Sequence, residues 1–435
     1  MIRLLLLSIL TTLSFGADNH FKLFKKGEND SNRTLLVIGG IHGDEPGGYF
    51  SAALLVKHYK IRKGSLWVVP NLNFDSILRF RRGVYGDMNR KFADIKESDP
   101  DFKIVEDIKK VIIDPHVSLV LNLHDGRGYY RHKWQNSIFN PYVWGQACII
   151  DQERIGSGEL EDLNKLANRV NASLNGKNLQ EPYHKFHIKN TKTKDKDEQM
   201  RLSLTYFAIK NRKPALAIET SKNITDLSLK IYYQLNAIEE FMKLLEIEYE
   251  RDFSLNRESI ERLLQNSGSE VVFDKIYTLP IENLRSYINY FPLCSQNPLV
   301  ESDDPLVGIR KNHDGYILLQ RGHILKSRLK PDYFTECKPL RKVEVSIDGK
   351  TQNVKIGSII DAKEYFEIIG QKGVRTNVIG WSRPGTKEES GFKIYKKDIL
   401  PRFSVDKNGS LFRVEFYRNR AFAGALLVRF QKRYK

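Results

Sequence analysis

The sequence predicts an α/β domain, with a mixed, mostly parallel sheet between helices, followed by two small β domains. Two patterns predict it. Through about residue 250, short runs of consecutive apolar residues alternate with segments of helical period. Strands apolar along their whole length are buried on both faces, as in a parallel sheet covered by helices. Beyond residue 250 the helical period fades, and short strands flank Asp-Gly and similar turn residues, the pattern of antiparallel hairpins.

Residues 1–16 read as an export signal: Arg3 gives a positive start, residues 4–13 are apolar, and Ser14 and Gly16 are small residues before a cleavage point. The apolar run is too short to span a bilayer. Residues 34–41 form the first buried strand, and residues 49–59 a helix after an intervening loop. A strand at 65–69 ends at Pro70. Helical period covers 104–113, 160–174 and 227–249, while 117–123 and 214–218 read as buried strands. One further helix is expected at 254–265. Strand pairs follow at 305–310 with 316–320, at 342–347 with 353–356, and at 411–418 with 425–430. The first pair flanks His313-Asp314-Gly315 and the second Asp348-Gly349. The expected division is a signal at 1–16, an α/β domain at 17–250, a central β-rich domain at 251–340 and a C-terminal β domain at 341–435. Residues 189–199 are polar and lysine-rich and are expected to be a solvated loop. His184 and His187, in a polar segment, are expected at the surface.

Cys148, Cys294 and Cys337 are the only cysteines of the 435 residues, too few and scattered for a disulfide framework or a cysteine zinc site. Cys294 and Cys337 fall in one candidate domain and can pair in an oxidising compartment; the sequence does not decide whether they do.

The chemistry gathers at strand ends. The strand at 34–41 runs into His42-Gly43-Asp44-Glu45-Pro46-Gly47-Gly48, and that at 117–123 into His124-Asp125-Gly126. In open parallel sheets, ligands bind at the carboxyl ends of strands. His42 and Glu45 are three apart, so one turn brings them to the same side. With His124 they form a His₂Glu set, leaving a fourth position for water, as in catalytic zinc sites. Asp125 is placed to orient His124 or an adjacent group. The second His-Asp-Gly, at 313–315, lies at a polar turn without companion ligands and reads as a hairpin.

Between the two ligand strands lie Arg79, Arg81, Arg82 and the pair Asn89-Arg90, and a later apolar strand ends in Glu219. With these motifs in this order, residues 30–245 resemble the zinc carboxypeptidase superfamily, including its aspartoacylase and succinylglutamate desuccinylase branch. The likeness is greatest to the murein carboxypeptidases that set the shape of helical bacteria. The resemblance implies a carboxypeptidase-like sheet and two C-terminal β domains, the last immunoglobulin-like. It also implies zinc on His42, Glu45 and His124, and Glu219 as general base. Arg82 would polarise the scissile carbonyl, and Asn89 with Arg90 would clamp the terminal carboxylate; a guanidinium suits that task because it forks onto a carboxylate bidentately. Trp144, in an aromatic stretch, either walls the substrate pocket or belongs to the core. Tyr206 is the candidate for the tyrosine that related enzymes bring over the substrate.

The expected activity is that of a periplasmic enzyme releasing meso-diaminopimelate from the stem tripeptide of peptidoglycan, thereby affecting cell shape. Alternatives are a cut of the tetrapeptide, deacylation of small N-acyl amino acids, or wall binding without catalysis. The formal net charge of +17 suits carboxylate-rich stem peptides, although a solvated basic surface explains the excess equally. Neither nucleic acid nor a membrane span is expected, and the sequence names no protein partner.

Overall fold

Seven strands build the central sheet: β1 (Phe24–Gly27), β2 (Thr34–Ile38), β3 (Ser65–Val69), β4 (Leu119–Gly126), β5 (Ala147–Ile150), β6 (His187–Asn190) and β7 (Ala215–Ser221). Their order is β1-β3-β2-β4-β7-β5-β6. The computed structural model describes residues 20–28, 32–176 and 179–431, so the expected signal at 1–16 lies outside the described residues. β3, β2, β4 and β7 are mutually parallel, and every residue of these four strands is buried. β1 and β5 run antiparallel to their inner neighbours, and β6 closes the far edge parallel to β5. Continuous apolar runs therefore mark the parallel centre, as expected.

The helices of six or more residues are α1 (Pro46–His58), α2 (Phe74–Arg79), α3 (Phe102–Ile112), α4 (Leu163–Gly176), α5 (Leu204–Lys210), α6 (Leu227–Leu244) and α7 (Arg257–Gln265). α1 and α4 both pack on α6, whereas α5 packs against β4 and β7 and meets α3 where Lys109 lies over the Phe207 ring. α6 is capped by the Asp226 carboxylate, which accepts from the backbone N–H of Ser228 and Leu229. It ends at Leu244, short of the expected residue 249, because Glu246 takes a left-handed conformation (φ 53°) and Glu248–Arg251 pairs as a strand with Tyr59–Lys63. Among the described residues no helix is long and apolar enough to cross a membrane.

Two further expectations are corrected. The segment 189–199 is not wholly a solvated loop: its start belongs to edge strand β6, and the hydroxyls of Thr191 and Thr193 fasten the following turn to the buried Asp151 carboxylate. His184 is not on the surface; it is buried, with Nδ1 3.0 Å from the Tyr233 hydroxyl.

The rest of the chain is β structure, with all three hairpins where expected. A three-stranded and a four-stranded sheet cover residues 270–333. Two four-stranded sheets follow over 342–430 and face each other through Phe366, Phe412 and Phe430, a sandwich of immunoglobulin-like layering. One apolar cluster runs from Val271 to Phe430. Cys294 and Cys337 are disulfide-bonded, with their Cα atoms 5.8 Å apart, while Cys148 is free and buried in β5.

The hairpin Val307–Arg321 joins the β region to the α/β domain. Gln320 Nε2 donates to the Leu78 carbonyl at 2.9 Å, Asn71 Nδ2 to the Pro305 carbonyl at 3.0 Å, and the Tyr49 hydroxyl lies 2.6 Å from His323 Nδ1. At the end of the hairpin Arg321 is fully buried; its Nε donates to Asp304 at 2.6 Å and its Nη1 to the Leu264 carbonyl closing α7 at 3.0 Å. Removing one member of a buried ion pair strands the other. Arg321→Ala is therefore expected to lower stability by about 3–5 kcal/mol, read as the shift in urea unfolding; a loss under about 1 kcal/mol, the worth of a surface pair, would contradict this.

Candidate metal centre and active site

The site lies where β2, β4 and β7 end. Beyond β2 the chain turns through His42-Gly43-Asp44-Glu45 into α1, with Glu45 at the helix N-cap and Pro46 in the first turn. The turn is squeezed between α2 and the end of β4. A Cβ on Gly43 would stand 2.1 Å from the backbone of Ser76, and one on Gly47 2.4 Å from Asp125 Oδ1, so only glycine fits at either position. Asp125 does not bond His124. It accepts from the Gly47 N–H at 2.9 Å and from the Thr220 hydroxyl, tying the start of α1 to the ends of β4 and β7.

This packing brings three buried side chains together. His42 Nδ1 is 3.0 Å from Glu45 Oε1, His124 Nδ1 is 2.8 Å from Glu45 Oε2, and the three donor atoms all lie within 4.8 Å of one another. Two imidazole nitrogens facing one carboxylate need positive charge between them, supplied by ring protons or by a cation. Two imidazoles and a carboxylate fit a divalent ion of the His₂Glu type. Burial raises the Glu45 carboxyl, but the facing His42 and His124 outweigh it and hold its pKa well below the carboxylate range.

Asp87, which sequence reasoning missed, organises the surroundings. Its Oδ1 is 2.8 Å from His42 Nε2 and accepts from the Asn89 N–H at 2.9 Å; its Oδ2 accepts from Arg82 Nε at 3.0 Å. A carboxylate on the outer nitrogen fixes the tautomer that points the inner lone pair at a metal. Nothing in the local sequence marks Asp87, because His42 and Arg82 become its neighbours only in the fold. Lys222 was also missed: its Nζ pairs with Asp44 at 2.6 Å and lies 3.7 Å from Glu45.

The remaining expected residues surround this centre. Arg82 reaches in, with Nη1 3.2 Å from Glu45 Oε1, whereas Arg79 turns away to pair with Asp75. Asn89 is buried in a short 3₁₀ turn, where its Oδ1 accepts from the Leu204 N–H opening α5 at 2.9 Å. Arg90 follows it, with Nη1 donating to the Asn89 carbonyl at 3.0 Å. Tyr206 lies half-buried in the first turn of α5.

Glu219 is the register partner of His124 on the adjoining strand. It is buried, and its Oε2 has no hydrogen-bond partner among the described residues. Burial first, then the negative charges of Glu45 and Asp125, push its pKa well above the carboxylate range. Trp144 is half-buried beside it: a Cβ on Gly126 would lie 2.6 Å from Trp144 Cβ and 2.7 Å from Glu219 Oε2. Gly126 is therefore what lets the indole and the carboxylate approach. His313, by contrast, sits in an exposed hairpin turn, as expected.

A buried two-histidine, one-carboxylate cluster at parallel strand ends, beside a glutamate whose Oε2 lacks a partner among the described residues, is the constellation of a metal-dependent hydrolase. Residues 10–265 match the family described as the catalytic domain of carboxypeptidases controlling helical cell shape, and residues 337–431 match a C-terminal domain of metallo-carboxypeptidases. The chain belongs to that cell-shape carboxypeptidase family. It is similar to the cell shape determinant protein Csd4 of Helicobacter pylori in its product-bound form, at 39% identity over 94% of this chain and 100% of that one, with a TM-score of 0.90. The tripeptide-bound form gives a TM-score of 0.89, and the mDAP-bound form, described as a D,L-carboxypeptidase, 0.90, both at 39% identity and the same coverage. No curated protein matches the chain.

Asp87 yields a test of the metal centre. Asp87→Asn is expected to weaken divalent metal binding about 10–100-fold, and His124→Ala to abolish it, both measured by competition with a chromogenic chelator. Wild-type affinity in Asp87→Asn would exclude Asp87 from supporting the ligand set.

Proposed function

We propose that the chain is a periplasmic zinc D,L-carboxypeptidase that removes meso-diaminopimelate from the peptidoglycan stem tripeptide and leaves a dipeptide. The observation that carries this reading is the position of Arg82 and Asn89 beside the His42–Glu45–His124 cluster, joined to it through Asp87, with Arg90 next in the chain and bonded to the Asn89 carbonyl. Groups suited to a free terminal carboxylate lie next to groups suited to a hydrolytic metal, which favours an exopeptidase. The tripeptide-bound and mDAP-bound forms of the Helicobacter pylori protein support the choice of substrate. We assign residues 1–16 to an export signal, 17–250 to catalysis, 251–340 to a central domain and 341–435 to a C-terminal domain.

When bound at His42, Glu45 and His124, zinc supplies Lewis acidity, which makes a water nucleophilic near neutral pH. Asn89 and Arg90 hold the terminal carboxylate and fix the bond presented for cleavage. Glu219 takes the proton of the attacking water and delivers it to the departing amine; its burial beside Glu45 and Asp125 favours the protonated form it passes through. Arg82 donates to the oxygen that gains charge as the carbonyl is attacked. Trp144 walls the site and excludes water.

Glu219→Gln is expected to bind tripeptide but turn it over about a hundredfold or more slowly, measured on purified muropeptides by chromatography and mass spectrometry. Accumulation of dipeptide from tripeptide supports the reading. Conversion of tetrapeptide to tripeptide would place the cut one bond away, and near-normal turnover by the variant would give the proton to another group.

A further inference from the structure

The four-stranded sheet of the central β region has one face that the α/β domain covers only in part. Its strands run in the order Tyr287–Leu293, Ile324–Tyr333, Ile317–Arg321 and Val307–Lys311. Ile288, Phe291, Leu329, Ile317 and Leu319 belong to the β core on its inner face. On the outer face the register partners Gly308 and Gln320 lie under α2. A Cβ on Gly308 would stand 2.7 Å from the Phe74 ring, and Gln320 bonds the Leu78 carbonyl. Residues two apart on a strand share a face, so the outer face runs on past α2 through Arg310, Leu318, Arg328 and Tyr287, which the register sets in one row. Lys330 follows on the same face, with its Nζ 5.0 Å from the Tyr316 ring centre.

This strip interleaves cations with aromatic rings. The Arg328 guanidinium lies 5.2 Å from the Tyr287 ring centre, and the rings of Tyr287 and Tyr316 meet edge-on at 5.9 Å. Tyr287 is 53% exposed, and Tyr290 on the same edge strand is 74% exposed. Tyr290 takes a left-handed backbone (φ 50°) where the register shifts between Ile288 and Phe291. That conformation is costly for a bulky residue, and a bulge of this kind re-aims a side chain. Arg310, Arg328 and Lys330 have no carboxylate partner among the described residues, and Arg310 Nε is buried there without an acceptor. Several exposed basic residues of the α/β domain are paired by contrast: Arg62 with Glu250, Lys63 with Glu248 and Arg154 with Asp162. Free cations call for anions, and exposed ring faces, which are electron-rich, suit the C–H faces of sugars. A polymer that carries both carboxylates and sugar rings is complementary to the strip.

We infer that this strip docks the peptidoglycan polymer: sugar rings of a glycan strand pack on Tyr287 and Tyr290, and carboxylates of its stem peptides pair with Arg310, Arg328 and Lys330. The inference rests on the peptidoglycan carboxypeptidase reading above and adds to it a second contact outside the active site. α2 connects the two places, because it sits on the same sheet face and leads into the turn that carries Arg82. Holding the polymer at the strip raises the effective concentration of its stem peptides at the metal centre. A free peptide, too short to reach both places, gains nothing.

The test uses the full-length, metal-loaded protein, a charge-reversed double variant (Arg328→Glu with Lys330→Glu) and Tyr290→Ala. Binding is read by cosedimentation with intact sacculi, with Glu219→Gln added to every form so that turnover does not erode the polymer. Activity is read on sacculi and on soluble tripeptide, with Glu219 restored. The charge-reversed variant is expected to bind sacculi about tenfold more weakly, the effect of losing two surface ion pairs, and Tyr290→Ala about threefold more weakly. Cleavage of sacculi is expected to fall in step, while kcat/KM on soluble tripeptide stays unchanged. Unchanged sacculus binding by the charge-reversed variant overturns the inference. So does an equal loss on sacculi and on tripeptide, which would mean that the strip acts only through the fold or the active site. Binding of the unaltered strip to immobilised polyglutamate as tight as to sacculi would make it a general anion surface and also overturns it. Should the charge-reversed variant fail to fold, Tyr290→Ala decides, and its unchanged binding overturns the inference. Strip-dependent binding to sacculi by a protein that cleaves no tripeptide would defeat the carboxypeptidase reading and leave the docking surface standing.

Discussion

The structure turns on one buried carboxylate. Glu45 faces His42 with one oxygen and His124 with the other, and it receives Arg82 as well. Such a group is tolerated in a protein interior only when cations and donors surround it. That requirement explains much of what encloses it. The turn before α1 must be tight enough to aim Glu45 back over the sheet, hence the glycines at 43 and 47. Asp125 holds the first turn of α1, and Asp87 braces His42 and Arg82 from outside. Carboxylates and basic groups alternate outward from Glu45, so each charge is balanced by its neighbours.

Glu219 is the exception within this arrangement. It lies one strand away from His124, without a partner for Oε2 and with Glu45 and Asp125 acting on it. Other buried carboxylates among the described residues have partners: Asp151 has threonine hydroxyls and Asp304 has Arg321. A carboxyl oxygen without a partner beside a compensated cluster is the asymmetry expected of a group that must exchange a proton while its neighbours hold their charge.

Much of this was legible in the sequence because it is local. Buried parallel strands read as apolar runs, and the candidate ligands stand where those runs stop, so the ends of β2, β4 and β7 pointed to His42, His124 and Glu219 together. The hairpins were legible from Asp348-Gly349 and its equivalents. Other features were set by contacts distant in sequence. Asp87 looks ordinary until folding places it against His42, 45 residues earlier. The end of α6 depends on the left-handed Glu246 and on a strand partner near residue 60, neither of which the helical period records. Lys189 sits in a lysine-rich stretch that reads as solvated, yet β6 finds an edge at β5 and Lys189 donates to the Pro141 and Val143 carbonyls. His184 looked superficial for the same reason, since Tyr233 reaches it from another helix.

The cysteines bear on how the chain matures. Three thiols allow three different single bridges, and random oxidation of an unfolded chain would sample all of them. Cys148 lies within the buried strand β5, and burial pushes its thiol up to about 12. Since thiolate is the species that attacks a disulfide, formation of the central sheet removes one competitor and leaves Cys294 and Cys337, 43 residues apart, to find each other. Sequestering Cys148 in the α/β core thus acts as a proofreader for the β region: burial, rather than the number of cysteines, selects the bridge.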